Sequence, residues 1–458
     1  TSNLEGTDMR LKTLKISMTI LLMLSIVLAS ACSSKTQDSQ QGSGQTQGEQ
    51  NAGTSQKTEP TELLFFFPIA VGGSLQKVFD KLAEDFNKEH GPDLTVKMVY
   101  TGDYKDTMMK VQTGVLGNNA PDVTLLSSTE LFTLLDMDAI IPLDDLIAED
   151  GGQEYINDFY DAFLANARTG GKIYSIPFQR STIILYYNKD LFREAGLDPE
   201  KPPKNYNELV EYAKKLTKDG RWGLEISSTD YVDWMFQALA LQNGKNLMNE
   251  DGTEVYFYTP SNVEALQFWV DLIKKHKVMP EGASEWATIP TDFISQNTAM
   301  MYHTTGNLGA VKKGATFDFG TAFLPAGKNY GTPVGGGNLY IVKGKSPERQ
   351  KQAWKLIRWL TQPERLAQFS IDTGYVAPTK SSYETEVMKE YVKTFPQALT
   401  ARDQLQYASA SFATHAKGEV GKILTSALQS AIVGGADPDA ALKKAQEEAD
   451  KILAQFKK

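Results

Sequence analysis

Six tryptophans and nineteen tyrosines occur in this chain, and a few of them stand among polar residues rather than in apolar runs. Trp234 in DYVDWMF and Trp286 in SEWAT fall at expected helix starts or loops, flanked by Asp, Ser, Glu and Thr. Tyr104 in TGDY and Tyr375 in TGY each follow a glycine that suits a turn. Rings so placed match what a sugar-like molecule requires: an aromatic platform for its apolar ring face and, beside it in a cleft, polar groups that meet its hydroxyls. Each ring also has an ordinary alternative. A tryptophan can simply pack in the core, and a tyrosine can bond a backbone carbonyl.

Gly335-Gly336-Gly337, followed by Asn338, lacks the GxxxxGK[ST] and GxGxxG spacings of phosphate loops and leads into the strand-like run Leu339 to Val342. It is read as backbone that approaches a ligand closely. Thr304-Thr305-Gly306-Asn307 opens a helix, whose free amides suit an oxygen-rich or anionic group as well as a plain N-cap. Catalysis finds little support. His90, His276, His303 and His415 are scattered, Cys32 is the one cysteine, and neither HExxH nor GxSxG is present. The sequence leaves open only a pair of carboxylates flanking a cleft, as in a glycoside hydrolase. No cofactor and no metal is expected. With 47 basic and 56 acidic residues, a formal charge of -9 and no basic run, nucleic acid is not an expected partner.

The first sixty residues have a different character. From Met9 the chain reads MRLKTLK, then an apolar stretch from Ile16 to Leu28, then Ala29-Ser30-Ala31-Cys32. This is the layout of a secretory signal, with an apolar part too short for a stable membrane span. Cys32 stands where the small residues end and resembles a lipobox cysteine, although Ala29 occupies the place that usually holds Leu and Leu28 lies one step earlier. The alternative is a cysteine lost with a cleaved signal. Glu5 and Asp8 are wrong for the basic head of a signal, so Met9 is the expected start and residues 1–8 are expected to be extraneous. Residues 33–60 are mostly Ser, Gln, Gly and Thr with hardly an apolar side chain, and so read as a flexible tether with a span of roughly 30 Å.

The remaining chain, in a sequence that is 41% hydrophobic, is long enough for more than one lobe. Leu63 to Phe67 closed by Pro68 reads as a buried strand, and Leu75, Val78, Phe79, Leu82 and Phe86 follow at helical spacing. Leu94 to Tyr100 alternates as a strand, Lys105 to Thr113 is helical, and Asp122 to Leu126 is a third strand ahead of Leu131, Leu134 and Leu135. Gly170-Gly171-Lys172 marks a turn, Ile183 to Tyr187 a strand, and Asn188-Lys189-Asp190 a helix start. Further helices are expected at 206–218, 233–241, 263–276, 349–360 and 440–456. The pattern predicts an α/β fold with a mostly parallel sheet.

The stretch IPFQRSTIILYYNKDLFREAGLDPEKPPKNYNELVEYAKKL, from Ile176 to Leu216, resembles the family 1 extracellular solute-binding proteins of ABC importers. Within that maltose-binding-protein-like group it is most similar to the glycerol-3-phosphate-binding branch. TGDYKD, NAPDV, TAMM, GGGNLYIVKGK, TGYVAP and DPDAAL extend the likeness along almost the whole chain after the tether. The resemblance implies a type II periplasmic-binding-protein-like fold, two lobes joined by three crossing segments, with the ligand cleft between them. Residues 61–178 plus 332–376 would form the first lobe and 179–331 plus 377–458 the second, with crossings near Gln179, 326–331 and Ala377.

The resemblance also implies ligand contacts at Tyr104, Ser181, Gly336 and Tyr375, with Asn338 in the same glycine-rich segment. Elsewhere this chain departs from the pattern: an acidic contact is Ser128, a serine is Thr304, and an expected arginine falls at Val420. Arg180 stands where relatives carry a small residue and is an alternative source of positive charge. The activity implied is capture of a small polar solute, a sugar or a polyol phosphate, by a monomer that is lipid-anchored on the outer face of a Gram-positive-type membrane and serves importer membrane subunits.

Overall fold

The structure, a computed structural model, describes residues 60–457. The expected signal, Cys32, the tether and the first eight residues lie outside that range. Ten strands occur among the described residues: β1 (Thr61–Phe67), β2 (Leu94–Tyr100), β3 (Val123–Ser127), β4 (Arg168–Thr169), β5 (Lys172–Ile173), β6 (Ile176–Asn188), β7 (Met300–Thr304), β8 (Phe319–Ala322), β9 (Thr332–Ile341) and β10 (Ala408–Ser409). Strand β1 shows how the sequence dictates its place. Leu63, Phe65 and Phe67 alternate onto one face and are fully buried there, while Leu64 and Phe66 turn to the other.

The main sheet runs β2-β1-β3-β9-β6-β7, with β10 beside β9 and β8 beside β6. β1 pairs parallel with β2 and β3, and β10 parallel with β9. The junctions β3–β9, β9–β6, β6–β7 and β6–β8 are antiparallel. The sheet is therefore mixed, and the expectation of a mostly parallel one is corrected. A crossover helix enforces parallel pairing only between strands that it connects directly. Strand β9 reaches β3 from a distant part of the chain, so no such crossover fixes its direction.

All thirteen residues of β6 are buried. Its first half pairs with β9 and its second half with β7 and β8, so one strand spans two packing regions. One core gathers Leu63, Phe79, Phe178, Leu339, Trp354 and Phe369. Another gathers Ile183, Leu239, Trp269, Met300, Phe412 and Leu428. A third draws Phe163 and Ala367 together with Ile184, Tyr186, Met301 and Phe395, and so ties the two regions at one side.

Helices form at Leu75–His90, Tyr104–Leu116, Tyr206–Leu216, Val232–Gln242, Pro260–Lys274, Pro347–Leu360 and Pro438–Leu453, where periodicity places them to within a turn. The helix Lys417–Ile432 was not expected. Its buried stripe of Val420, Gly421, Leu424, Leu428, Ala431 and Ile432 nonetheless has regular helical spacing. None of the described helices is long and apolar enough to cross a membrane.

Candidate functional site

Three distant segments meet at Arg180. In β6 it stands opposite Gly336 of β9, and its carbonyl accepts a 2.7 Å hydrogen bond from the Val376 amide. The middle segment meets it at Gly336. Gly336 has φ +86°, and a Cβ there would overlap the Gln179 carbonyl, so the join requires glycine. Its two neighbours make room for side chains. A Cβ on Gly335 would enter the Trp234 ring and lie 2.8 Å from Ser181 Oγ, and one on Gly337 would lie 3.1 Å from the Tyr104 hydroxyl. The glycine run is thus approached closely by the side chains of Trp234, Ser181 and Tyr104.

Successive strand residues face opposite ways, and β6 uses this at the junction. Gln179 points to one side, where its amide Nε2 donates to the hydroxyls of Tyr104 (2.9 Å) and Tyr375 (3.3 Å). Tyr104 is held by the first turn of its helix, which Asp103 caps by accepting from the Asp106 amide at 2.8 Å. Burial pushes the Tyr104 phenol up to about 12 and the Tyr375 phenol well above its usual range. Both are neutral. With a lone pair of each oxygen engaged by Gln179, each O–H is free to donate to a ligand. Gly306 lets the Tyr375 ring in, since a Cβ there would be 3.0 Å from its hydroxyl.

Ser181, two residues on, shares the Gln179 side and meets Trp234, whose indole N–H donates to the Val334 carbonyl at 2.8 Å. Trp286 lies 6.3 Å from Trp234, 4.6 Å from Tyr231 and 3.9 Å from His303, with which it stacks at 29°. The Trp286 indole donates to the carbonyl of Ala70 at 3.3 Å, a contact between distant parts of the chain. Tyr231 heads the helix Val232–Gln242 with φ 60°, a conformation that costs a bulky residue about 1–3 kcal/mol. His303 is fully buried, and burial pushes its imidazole down to about 4. Asn307 Nδ2 can only donate, so His303 Nδ1 accepts at 2.9 Å and Nε2–H donates to the Trp286 carbonyl at 3.1 Å. A neutral histidine therefore fixes the backbone of the platform residue.

Other expected contacts lie apart from this group. Arg180 faces away from Gln179 and Ser181. Its Nη1 donates to Asn338 Oδ1 at 3.0 Å, and the guanidinium carbon is 5.0 Å from the centre of the Phe163 ring. Asn338 in turn donates to Ser175 Oγ at 2.9 Å, so both side chains are engaged beneath the junction, with the guanidinium still near enough to the Tyr104 phenol to act on it electrostatically. The Thr304 hydroxyl accepts from the Gly306 amide at 3.1 Å as a cap. Ser128 is fully buried, and its hydroxyl has no partner among the described residues. Val420, where an arginine was expected, is packed in the second core. No group of three or more His, Cys, Asp and Glu side chains that could hold a metal occurs among the described residues.

Residues 81–397 match the family model of bacterial extracellular solute-binding proteins. The chain belongs to this family. Among curated relatives, the sn-glycerol-3-phosphate-binding periplasmic protein UgpB of Shigella dysenteriae and that of Escherichia coli K12 are each 28% identical over 408 residues, spanning 84% of this chain and 91% of theirs. The solved structure of UgpB from Mycobacterium tuberculosis in complex with glycerophosphocholine superposes with a TM-score of 0.76 at 28% identity, over 85% of this chain and 98% of that one. Maltose-bound MalE3 of T. maritima superposes at 0.74 over 85% and 99%, at 24% identity, a likeness of fold. The solute-binding fold is accordingly two-lobed, with a curled mixed sheet.

Within this solute-binding protein, four residues of the assembled group escaped sequence reading: Gln179, Tyr231, His303 and Asn307. Gln179 carries a faint signal, because it shares a strand face with Ser181. Tyr231 lies one helical turn from Trp234. Asn307 closes the Thr304-Thr305-Gly306-Asn307 segment read as a helix start, but nothing in the local sequence pairs it with His303, a role that exists only once Trp286 stacks on the imidazole.

Proposed function

We propose that this protein captures a carbohydrate, a mono- or oligosaccharide, between its lobes and delivers it to the membrane subunits of an ABC importer. The observation that carries the reading is the junction group itself. Tyr104, Gln179, Ser181, Tyr231, Trp234, Trp286 and Tyr375 combine aromatic surfaces with neutral hydrogen-bonding groups, and none is cationic. Such a set suits apolar ring faces edged by hydroxyls. Lobe closure follows from contacts made to the solute from both sides, which favour the closed form over the open one. Cys32 would carry a lipid anchor and residues 33–60 the tether, which places capture at the outer face of the cytoplasmic membrane of a Gram-positive-type cell, by a monomer. The relatives are solute-binding proteins, which supports binding rather than catalysis.

A second reading, glycerol 3-phosphate or a glycerophosphodiester as the solute, rests on the relatives at 28% identity that are named for such ligands. Thermal unfolding of residues 61–458 with maltose, xylo- and manno-oligosaccharides, glycerol 3-phosphate and glycerophosphocholine separates the two. A sugar should raise Tm with no turnover of the sugar, and Trp234→Ala should abolish the rise. A rise with only the phosphate esters transfers the assignment to the second reading. Hydrolysis of an oligosaccharide would instead make the protein an enzyme.

A further inference from the structure

Six arginines among the described residues pair with carboxylates: Arg193 with Asp190 and Asp318, Arg221 with Glu194, Arg349 with Asp122, Arg358 with Asp150, Arg365 with Glu89 and Arg402 with Asp403. Arg168 is exposed. Arg180 is unlike all of these. Its side chain is fully buried, no carboxylate among the described residues lies within ion-pair distance, and Nε and Nη2 have no hydrogen-bond partner. Its titratable neighbours are the hydroxyls of Tyr104 and Tyr340, both neutral. Tyr340, on the same strand face as Asn338, has a fully buried hydroxyl that lies beside the Ser175 hydroxyl and finds no acceptor for its own O–H among the described residues. Several donors thus converge where acceptors are missing.

An isolated buried cation is strongly disfavoured unless a counter-charge and acceptors accompany it. The guanidinium stays charged under all ordinary conditions, for although burial lowers it, it falls only to about 10. Its fork of N–H groups is shaped for an anion with several lone pairs.

We propose that Arg180 holds an anion at the lobe junction, on Nε and Nη2, with the Tyr340 hydroxyl as a further donor. The shared chemistry is a compact anionic acceptor, supplied either as a free inorganic ion of halide or phosphate size or as the phosphate of a bound solute. The site lies under the three joining segments, so its occupancy stiffens the point about which the lobes move. As a free ion it does not depend on which solute the aromatic group receives, and a sugar that raises Tm leaves it untouched; as a solute phosphate it rests on the second reading above.

The test uses the full chain at constant ionic strength, with a bulky organic sulfonate as the reference anion. Chloride, bromide, inorganic phosphate, glycerol 3-phosphate and glycerol are then added separately. A Tm rise of a few degrees with chloride, bromide or phosphate alone, absent in Arg180→Met, assigns a free ion. A rise with glycerol 3-phosphate but not with inorganic ions or glycerol, also absent in the variant, assigns a solute phosphate. Should Arg180→Met fail to fold, anomalous scattering from crystals grown in bromide or soaked with a phosphate ester reads the site in the native protein. Ordered water alone against Nε and Nη2, together with a Tm indifferent to every anion, overturns the proposal.

Discussion

Gln179 is the residue on which the two tyrosines depend, because one amide nitrogen holds hydroxyls brought from positions far apart in the chain. Gln179→Leu leaves both phenols buried without that donor and should cost about 1–3 kcal/mol in urea unfolding, while solute affinity falls as both rings lose their orientation. Unchanged affinity by calorimetry would remove Gln179 from the site. His303 and Glu225 give opposite pH dependences. His303 titrates near 4 in the fold against 6.5 unfolded, so the unfolded chain takes up the proton first. Its contribution is complete above pH 6.5 and is lost as pH falls toward 4, by roughly 3 kcal/mol. Burial, with Asp292 adding to it, pushes Glu225 up to about 7 from 4.5. There the unfolded carboxyl ionises first, and stability present below pH 4.5 is lost as pH rises through 7. Urea midpoints measured from pH 4 to 8 should therefore show a flattened acid limb in His303→Gln and a flattened alkaline limb in Glu225→Gln.

At the scale of elements, β6 and β9 do two jobs with one alternation. Odd-numbered Gln179 and Ser181 turn to the aromatic group, and Arg180 between them turns beneath the junction, which is why a single residue of register would exchange a neutral polar wall for a buried charge. The glycines of β9 accept this geometry without side chains of their own. Gly335→Ala places a methyl group in the Trp234 ring and crowds Ser181 Oγ. We expect about 1–3 kcal/mol of destabilisation and at least a tenfold loss of solute affinity with circular dichroism unchanged. Full retention of affinity would mean that Trp234 has room to move and is not a fixed platform.

Across the whole molecule, side-chain contacts join distant parts of the chain. Trp286 donates to Ala70 at one place. At another, His415 Nδ1 meets Asp136 Oδ1 at 2.7 Å, with the His415 ring 4.8 Å from that of Phe132 and 4.7 Å from that of Phe456. On the proposed division into lobes these contacts cross from one lobe to the other, and we expect them to favour the closed form. Combining Trp286→Phe with His415→Ala should raise the radius of gyration of the free protein in solution scattering, and saturating solute should restore the smaller value. Identical scattering from wild type and variant would show that the junction alone sets the lobe angle.

Periodicity and turn chemistry were enough to place β1, β2, the helices at Leu75–His90 and Tyr206–Leu216 and the strand before Asn188, because their patterns of burial are local and regular. The stretch from Ile176 to Leu216 carried the family, and with it the candidate roles of Tyr104, Trp234 and Tyr375. The antiparallel run of β9 between β3 and β6 was not legible, since strand direction depends on where a distant segment arrives. Neither was the division of labour among neighbours. Gln179, Arg180 and Ser181 are all polar and adjacent, and only the paired strands decide which two face the rings and which one is buried without a counter-charge. Sequence determines what each side chain can donate, accept or stack upon. Tertiary structure decides which of those capacities converge, because convergence here links residues more than a hundred positions apart, held by a pleat whose register no local pattern records.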